Sequence, residues 1–189
     1  MQWNSHYDLE GKHAYLSPSK FHWIRYDLEK LRRHYAKHRM ALEGAELHDL
    51  ARRLILKRKK QIRDGSTFNT YVNDAIGFHM TPEQSLKYSD NFFGTPDAIS
   101  FREKILRVHD LKTGEFPGHF DQLKLYVVLF FLEYGKILRI KPHDVEIYIR
   151  IYQSDAIMEE HVDPAEIVAL MKWAETADKE VDLMKEVMM

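Results

Sequence analysis

Gly94-Thr95-Pro96-Asp97, Asp110-Leu111-Lys112-Thr113-Gly114 and Gln122-Leu123-Lys124-Leu125-Tyr126 follow one another within residues 94–126, and this stretch decides the fold. Two carboxylates and a lysine sit on what read as two successive strands, Asn91 to Ser100 and Lys104 to Lys112. A helix follows directly. Strand side chains alternate between faces, so Val108, Asp110 and Lys112 point the same way. The polar break Ser100-Phe101-Arg102-Glu103-Lys104 reads as a hairpin turn. A turn centred on Arg102 and Glu103 places Asp97 opposite Val108, on the face that carries Asp110 and Lys112. Two carboxylates and an ammonium then lie within a few ångströms of each other. Such a cluster is costly to assemble unless a divalent cation holds it together.

Four motifs in order resemble the PD-(D/E)xK nuclease superfamily, and within it the RecB-like branch. Its marks are a Gly-x-x-x-His helix, a Gly-x-x-Asp strand, an Asp-x-Lys strand and a Gln-x-x-x-Tyr helix. Here they read Gly44-Ala45-Glu46-Leu47-His48, Gly94-Thr95-Pro96-Asp97, Asp110-Leu111-Lys112 and Gln122-Leu123-Lys124-Leu125-Tyr126. Leu16-Ser17-Pro18-Ser19 is similar to the Ser-x-Ser element that often opens these domains. The resemblance spans roughly Leu16 to Tyr126. It implies one α/β nuclease domain over 1–189, with a restriction-endonuclease-like αβββαβ core and a mixed sheet flanked by helices. Each motif alone is common in turns, strand edges and helices; their joint order carries the signal.

The chain has 189 residues, 44% hydrophobic and 30% charged, as expected of one globular domain with a core. There is no apolar run that could cross a bilayer and no signal-peptide pattern in Met-Gln-Trp-Asn-Ser-His, so the expectation is a cytoplasmic protein without membrane contact. Cysteine is absent. Disulfides and thiolate metal sites are excluded, as is the four-cysteine iron–sulfur cluster of some RecB-like nucleases. Net charge is −1, but it is unevenly spread. From Lys30 to Arg63 there are twelve Lys/Arg against three acids; from Gln153 to Met189 there are three lysines against ten acids. The basic segment reads either as a phosphate-contacting face or as a solvated helix balanced by the acidic one. The nuclease motifs tip the reading to DNA, with Arg52, Arg53, Lys57 and Lys60 as its contacts. A homo-oligomer or a recombination or replication protein partner is compatible with the same sequence.

Residues 1–16 carry scattered aromatics and read as an extended arm. Ser17-Pro18-Ser19 reads as a helix start. Phe21, Ile24, Leu28 and Leu31 form one predicted buried stripe; Met40, Leu47, Leu50, Leu54 and Ile55 form a second, ending in Lys57-Arg58-Lys59-Lys60 with Gly65 as the stop. Gly44 lies inside that helix with His48 on its face, so the helix can approach a sheet and His48 can reach the carboxylates. Phe68 to Met80 reads as a first strand, Phe120 to Tyr134 as a buried helix and Val145 to Tyr152 as a strand. Asp163-Pro164 starts a last amphipathic helix with Ile167, Leu170, Met171 and Trp173.

Phosphodiester hydrolysis needs an in-line nucleophile and neutralised phosphate charge, and Mg²⁺ or Mn²⁺ serves both. Asp97 and Asp110 offer the oxygen ligands that hard cations prefer, and the backbone carbonyl of Leu111 lies between Asp110 and Lys112. By the resemblance, His48 completes the protein ligands, Lys112 positions the nucleophile, and Gln122 and Tyr126 flank the site, holding Lys112 or the DNA strand. The expected activity is a metal-dependent DNA nuclease, by resemblance an exonuclease of recombination, repair or phage DNA processing. The alternatives are a structure-specific endonuclease, a non-catalytic DNA-binding or recombination-partner protein on the same fold, and an unrelated hydrolase of small phosphate esters.

Overall fold

The computed structural model describes Tyr7 and residues 14–114, 118–154 and 156–188. Most of the predicted arm lies outside the described residues. By internal packing the chain divides into two compact units, Met1–Glu43 and Gly44–Met189.

In the first unit, Ser17 precedes a 3-10 segment, Pro18–Arg25, with proline at its start as the sequence suggests. The Ser17 hydroxyl meets Ser19 Oγ at 2.7 Å instead of capping a backbone N–H. Non-helical backbone at Lys20 interrupts the segment, and none of its residues is buried. The predicted stripe is therefore not a core: Phe21, Ile24 and Leu28 are exposed, the last at 70%. The helix α1 that follows spans Leu28–Leu56.

In the second unit α1 buries Gly44, Ala51 and Ile55. Met40 belongs to the first unit; it, Leu47 and Leu50 are exposed, while Ile55 is buried and Leu54 packs against its cluster, so the predicted stripe holds only at its end and the buried edge is narrower, running from Gly44 through Ala51 to Ile55. A narrow edge suits a helix that touches its neighbour at close range. The helix stops at Leu56, where Arg58 takes a left-handed backbone (φ 51°) and Lys59 N donates to Leu54 O at 2.9 Å. Lys57 to Lys60 thus follow the helix; they do not form its last turn.

The predicted first strand is a helix. Thr67–Gly77 forms α2, with Ser66 Oγ accepting from Asn69 N at 3.3 Å. Tyr71, Val72 and Ala75 recur at helical spacing and are buried, and Ser66 supplies the N-cap; period and cap decide for helix over strand. The strands are β1 (Thr81–Pro82), β2 (Leu86–Lys87), β3 (Phe93–Gly94), β4 (Ala98–Arg102) and β5 (Ile105–Lys112). The expected strand over 91–100 is broken in two, since Pro96 cannot donate to a ladder. Helix α3 (Phe120–Leu138), β6 (Glu146–Gln153), β7 (Ala156–His161) and α4 (Pro164–Met188) complete the chain. The edge strand β7 has no counterpart in the sequence reading. Trp173 is 69% exposed and lies off the buried side of α4, which is anchored by Ile167.

The main sheet has the order β1-β4-β5-β6-β7; β5 and β6 run parallel and the other pairs antiparallel. A separate ribbon pairs β2 with β3. The chain is α/β, with a mixed sheet flanked by helices. Alternation along the central strands sorts two cores. Leu106, Val108, Ile149 and Ile151 pack with Val127, Val128 and Phe131 of α3. Leu111, Ala98 and Tyr152 pack on the opposite face with Tyr71, Val72 and Ala75 of α2 and Ile55 of α1. Strand β6 alternates along most of its length, with Ile147 and Ile149 buried between less buried neighbours, and is buried on both faces only at its end, over Ile151, Tyr152 and Gln153.

Candidate active site

The tight turn between β4 and β5 falls on Glu103 and Lys104 (φ 51° and 60°), one residue later than the sequence suggested. Ala98 therefore pairs with His109 and Ile99 with Val108. Asp97, one step further, stands beside Asp110 and not opposite Val108. The correction moves Asp97 by two residues, so it keeps its face. Its carboxylate accepts from Leu111 N (Oδ2, 2.7 Å), and its carbonyl accepts from Glu83 N at 3.0 Å. These bonds fix Asp97 beyond the end of the ladder.

Two glycines let helices close on this strand end. A Cβ on Gly44 would fall 2.5 Å from Thr113 Oγ1, and one on Gly94 would fall 2.9 Å from Tyr126 Cε1. With α1 so close, His48 Nδ1 lies 3.3 Å from Asp97 Oδ1. The hydrogen bond to Asp97 holds the His48 pKa above its ordinary value, against an opposing effect of burial.

Asp110 is buried, and burial is the first cause of its raised pKa; the nearby Asp97 charge adds to it, while Lys112 opposes it. Lys112 Nζ donates to Asp110 Oδ1 at 3.2 Å and lies at ion-pair distance, 3.0 Å, from Oδ2. Asp110 Oδ2 is nonetheless buried without a hydrogen bond. The ammonium also donates to Gln122 Oε1 at 2.8 Å, and Gln122 Nε2 donates to Tyr126 OH at 3.2 Å. Residues of all four motifs thus meet at one end of β5: His48 with Asp97, Asp97 with the Leu111 amide, and Asp110, Lys112, Gln122 and Tyr126 in line.

The basic residues do not join this line. Arg52 pairs with Glu83 (3.0 Å) and Arg53 with Asp49 (3.1 Å), while Lys57 and Lys60 are exposed beyond the helix end.

Three neighbours escaped the sequence reading. Tyr71 of α2 is buried; its phenol is pushed well up by burial and further by Asp97 and Asp110. It escaped because its segment read as a strand; the spacing of Tyr71, Val72 and Ala75 was the available signal. Glu83, with a left-handed backbone (φ 49°), braces Asp97 and Arg52. Gln153 of β6, beside Lys112 in register, accepts from Gly118 N (2.8 Å) and donates to Gly114 O (2.6 Å). Neither has a local sequence signal.

Among the described residues, no three His, Asp or Glu side chains surround a common point as an ion would require; His48 contacts Asp97 directly. No described helix is long and apolar enough to cross a membrane. Comparison with protein-family models, curated proteins and solved structures returns no match.

Proposed function

We propose that this chain is a Mg²⁺- or Mn²⁺-dependent DNA nuclease of the RecB-like branch of the PD-(D/E)xK superfamily. One observation carries the reading. Side chains from four motifs, separated by up to eighty residues of sequence, contact one another at one strand end. A set of unrelated turns and solvated pairs has no reason to do so. If helix α2 and the β2–β3 ribbon are both additions, the elements α1, β1, β4, β5, α3 and β6 follow the αβββαβ order of a restriction-endonuclease-like core.

The donor set suits a hard cation. Asp110 Oδ2 is a buried carboxylate oxygen with no hydrogen bond, beside a second carboxylate whose charge disfavours its ionisation. A positive ion there relieves both. His48, Asp97, Asp110 and the Leu111 carbonyl would hold it. Bound there, it would acidify water and neutralise charge on the scissile phosphate. Lys112, held between Asp110 and Gln122, orients its ammonium toward the reacting phosphate and offsets the charge that grows on it. Tyr126 and Gln122 keep that ammonium from swinging away. Arg52, Arg53, Lys57 and Lys60 supply backbone phosphate contacts along the basic segment, the first two by exchanging their acidic partners for phosphate.

The reading favours an exonuclease acting in recombination, repair or phage DNA processing. End-labelled linear DNA and closed circular DNA, each with Mg²⁺ and Mn²⁺, test it. The expected result is degradation of the linear form alone. Cutting of the circle assigns an endonuclease instead, and binding without cleavage of either form supports the non-catalytic DNA-binding reading.

A further inference from the structure

A second cleft lies on the α2 face of the sheet, the face opposite Asp110 and Lys112. It encloses about 460 Å³ between the 60–65 segment and α2. That volume is within the range of small-molecule sites. Its walls are pinned: Asn73 Oδ1 accepts from Gln61 N at 2.8 Å, and Asn73 Nδ2 donates to Gln61 O at 3.1 Å. Two cations line it, Lys60 and Arg63, and among the described residues neither has a carboxylate within 4.0 Å. Most other arginines near this face are occupied; Arg150, for instance, is held by Asp74 (2.7 Å) and by Glu159.

Asp74 also lines the cleft, and its Oδ2 accepts from both Tyr152 OH (2.7 Å) and Arg150 Nη1 (2.7 Å). Its Oδ1 accepts nothing from another described side chain. Phe78 also lines the cleft, and the Arg107 guanidinium covers one face of its ring, 4.5 Å from the centroid. Asp64, nearby, is taken by Ser66 N and Asn69 Nδ2, both at 3.0 Å. The cleft lining therefore combines two cations without a carboxylate partner among the described residues and one carboxylate oxygen without a side-chain donor among them.

From this arrangement we infer a second ligand site, for a 5′-phosphorylated nucleoside. Its phosphate meets Lys60 and Arg63, and a sugar hydroxyl or base amino group donates to Asp74 Oδ1. The ligand is either a free mononucleotide or the 5′-phosphorylated end of a nucleic-acid strand, which share this chemistry. No residue of the Asp97–Asp110 cluster takes part; the site shares Lys60 with the proposed DNA contacts, while Arg63 and Asp74 belong to it alone.

Calorimetric titration of the full chain carrying Asp110→Ala tests it without turnover. The expected result is that AMP binds, that adenosine binds at least about 10-fold more weakly, and that Lys60→Ala with Arg63→Ala removes the difference. Gly77 lines the cleft, and a Cβ there meets nothing within 4 Å. Gly77→Phe should therefore fill the cleft and abolish binding while its melting temperature stays at that of the parent. A 5′-phosphorylated dinucleotide that binds tighter than AMP identifies a strand end as the ligand; weaker binding identifies the free mononucleotide. No AMP binding at ~5 mM, equal binding of AMP and adenosine, or normal binding by a folded Gly77→Phe chain would overturn the inference.

Discussion

At the scale of residues, Asp110 is the most exposed to test. Its folded pKa is raised, first by burial and then by Asp97. The sign of the linkage follows: the stability tied to its protonated form is present below the unfolded value of 3.8 and is lost as pH rises through the folded pKa. At pH 7 the ionised carboxyl thus costs stability. Asp110→Asn should melt higher than the parent at pH 7 and lose that advantage below about pH 4, with cleavage gone at both. A lower melting temperature at pH 7 would mean that Lys112 outweighs burial. Gly44 gives an independent test. Alanine is preferred over glycine inside a helix by about 1 kcal/mol, yet its Cβ would fall 2.5 Å from Thr113 Oγ1. Gly44→Ala should destabilise the parent and stabilise a Thr113→Ala background. Equal effects in both backgrounds, read from urea midpoints, would show that α1 does not rest on Thr113.

At the scale of elements, the α2 face of the sheet carries a buried histidine. His109 of β5 is packed under Phe78, with Nδ1 3.1 Å from Tyr152 OH, and burial, aided by Arg150 and Arg107, lowers its pKa to about 3. A depressed folded pKa contributes stability above the unfolded value of 6.5, lost as pH falls toward 3. Between pH 6.5 and pH 5 the loss is about 2 kcal/mol at ~1.4 kcal/mol per unit. His109→Leu should flatten the dependence of unfolding free energy on pH across that window; a parallel slope would place the acid lability elsewhere. The helix that covers this face, α2, is also where the sequence was least legible. Phe68 to Met80 mixes β-branched and aromatic residues with an uneven alternation, and only the Ser66 cap and the Tyr71–Val72–Ala75 spacing distinguish helix from strand. By contrast β6 alternates Ile147, Ile149 and Ile151 against polar neighbours, and α3 is apolar over four turns, so both were legible from pattern alone.

At the scale of the whole molecule, the motif residues were legible because each lies on a local signature, and the register error of the β4–β5 hairpin, being even, left them on the same face. What joins them was not legible: Glu83, Tyr71 and Gln153 come from distant segments and are set by tertiary packing. The stripes around Leu28 and Leu47 misled for a related reason, since periodicity marks an apolar face but not what covers it. The central claim is that the strand end holding Asp97, Asp110 and Lys112 hydrolyses DNA with a divalent ion. The most direct measurement is cleavage of labelled linear DNA by the parent, Asp110→Ala and Lys112→Ala chains, in EDTA and then with excess Mg²⁺ or Mn²⁺. The account predicts cleavage by the parent only when metal is present, and none by either variant with its fold intact. Cleavage in EDTA, or a variant that cuts like the parent, would contradict it.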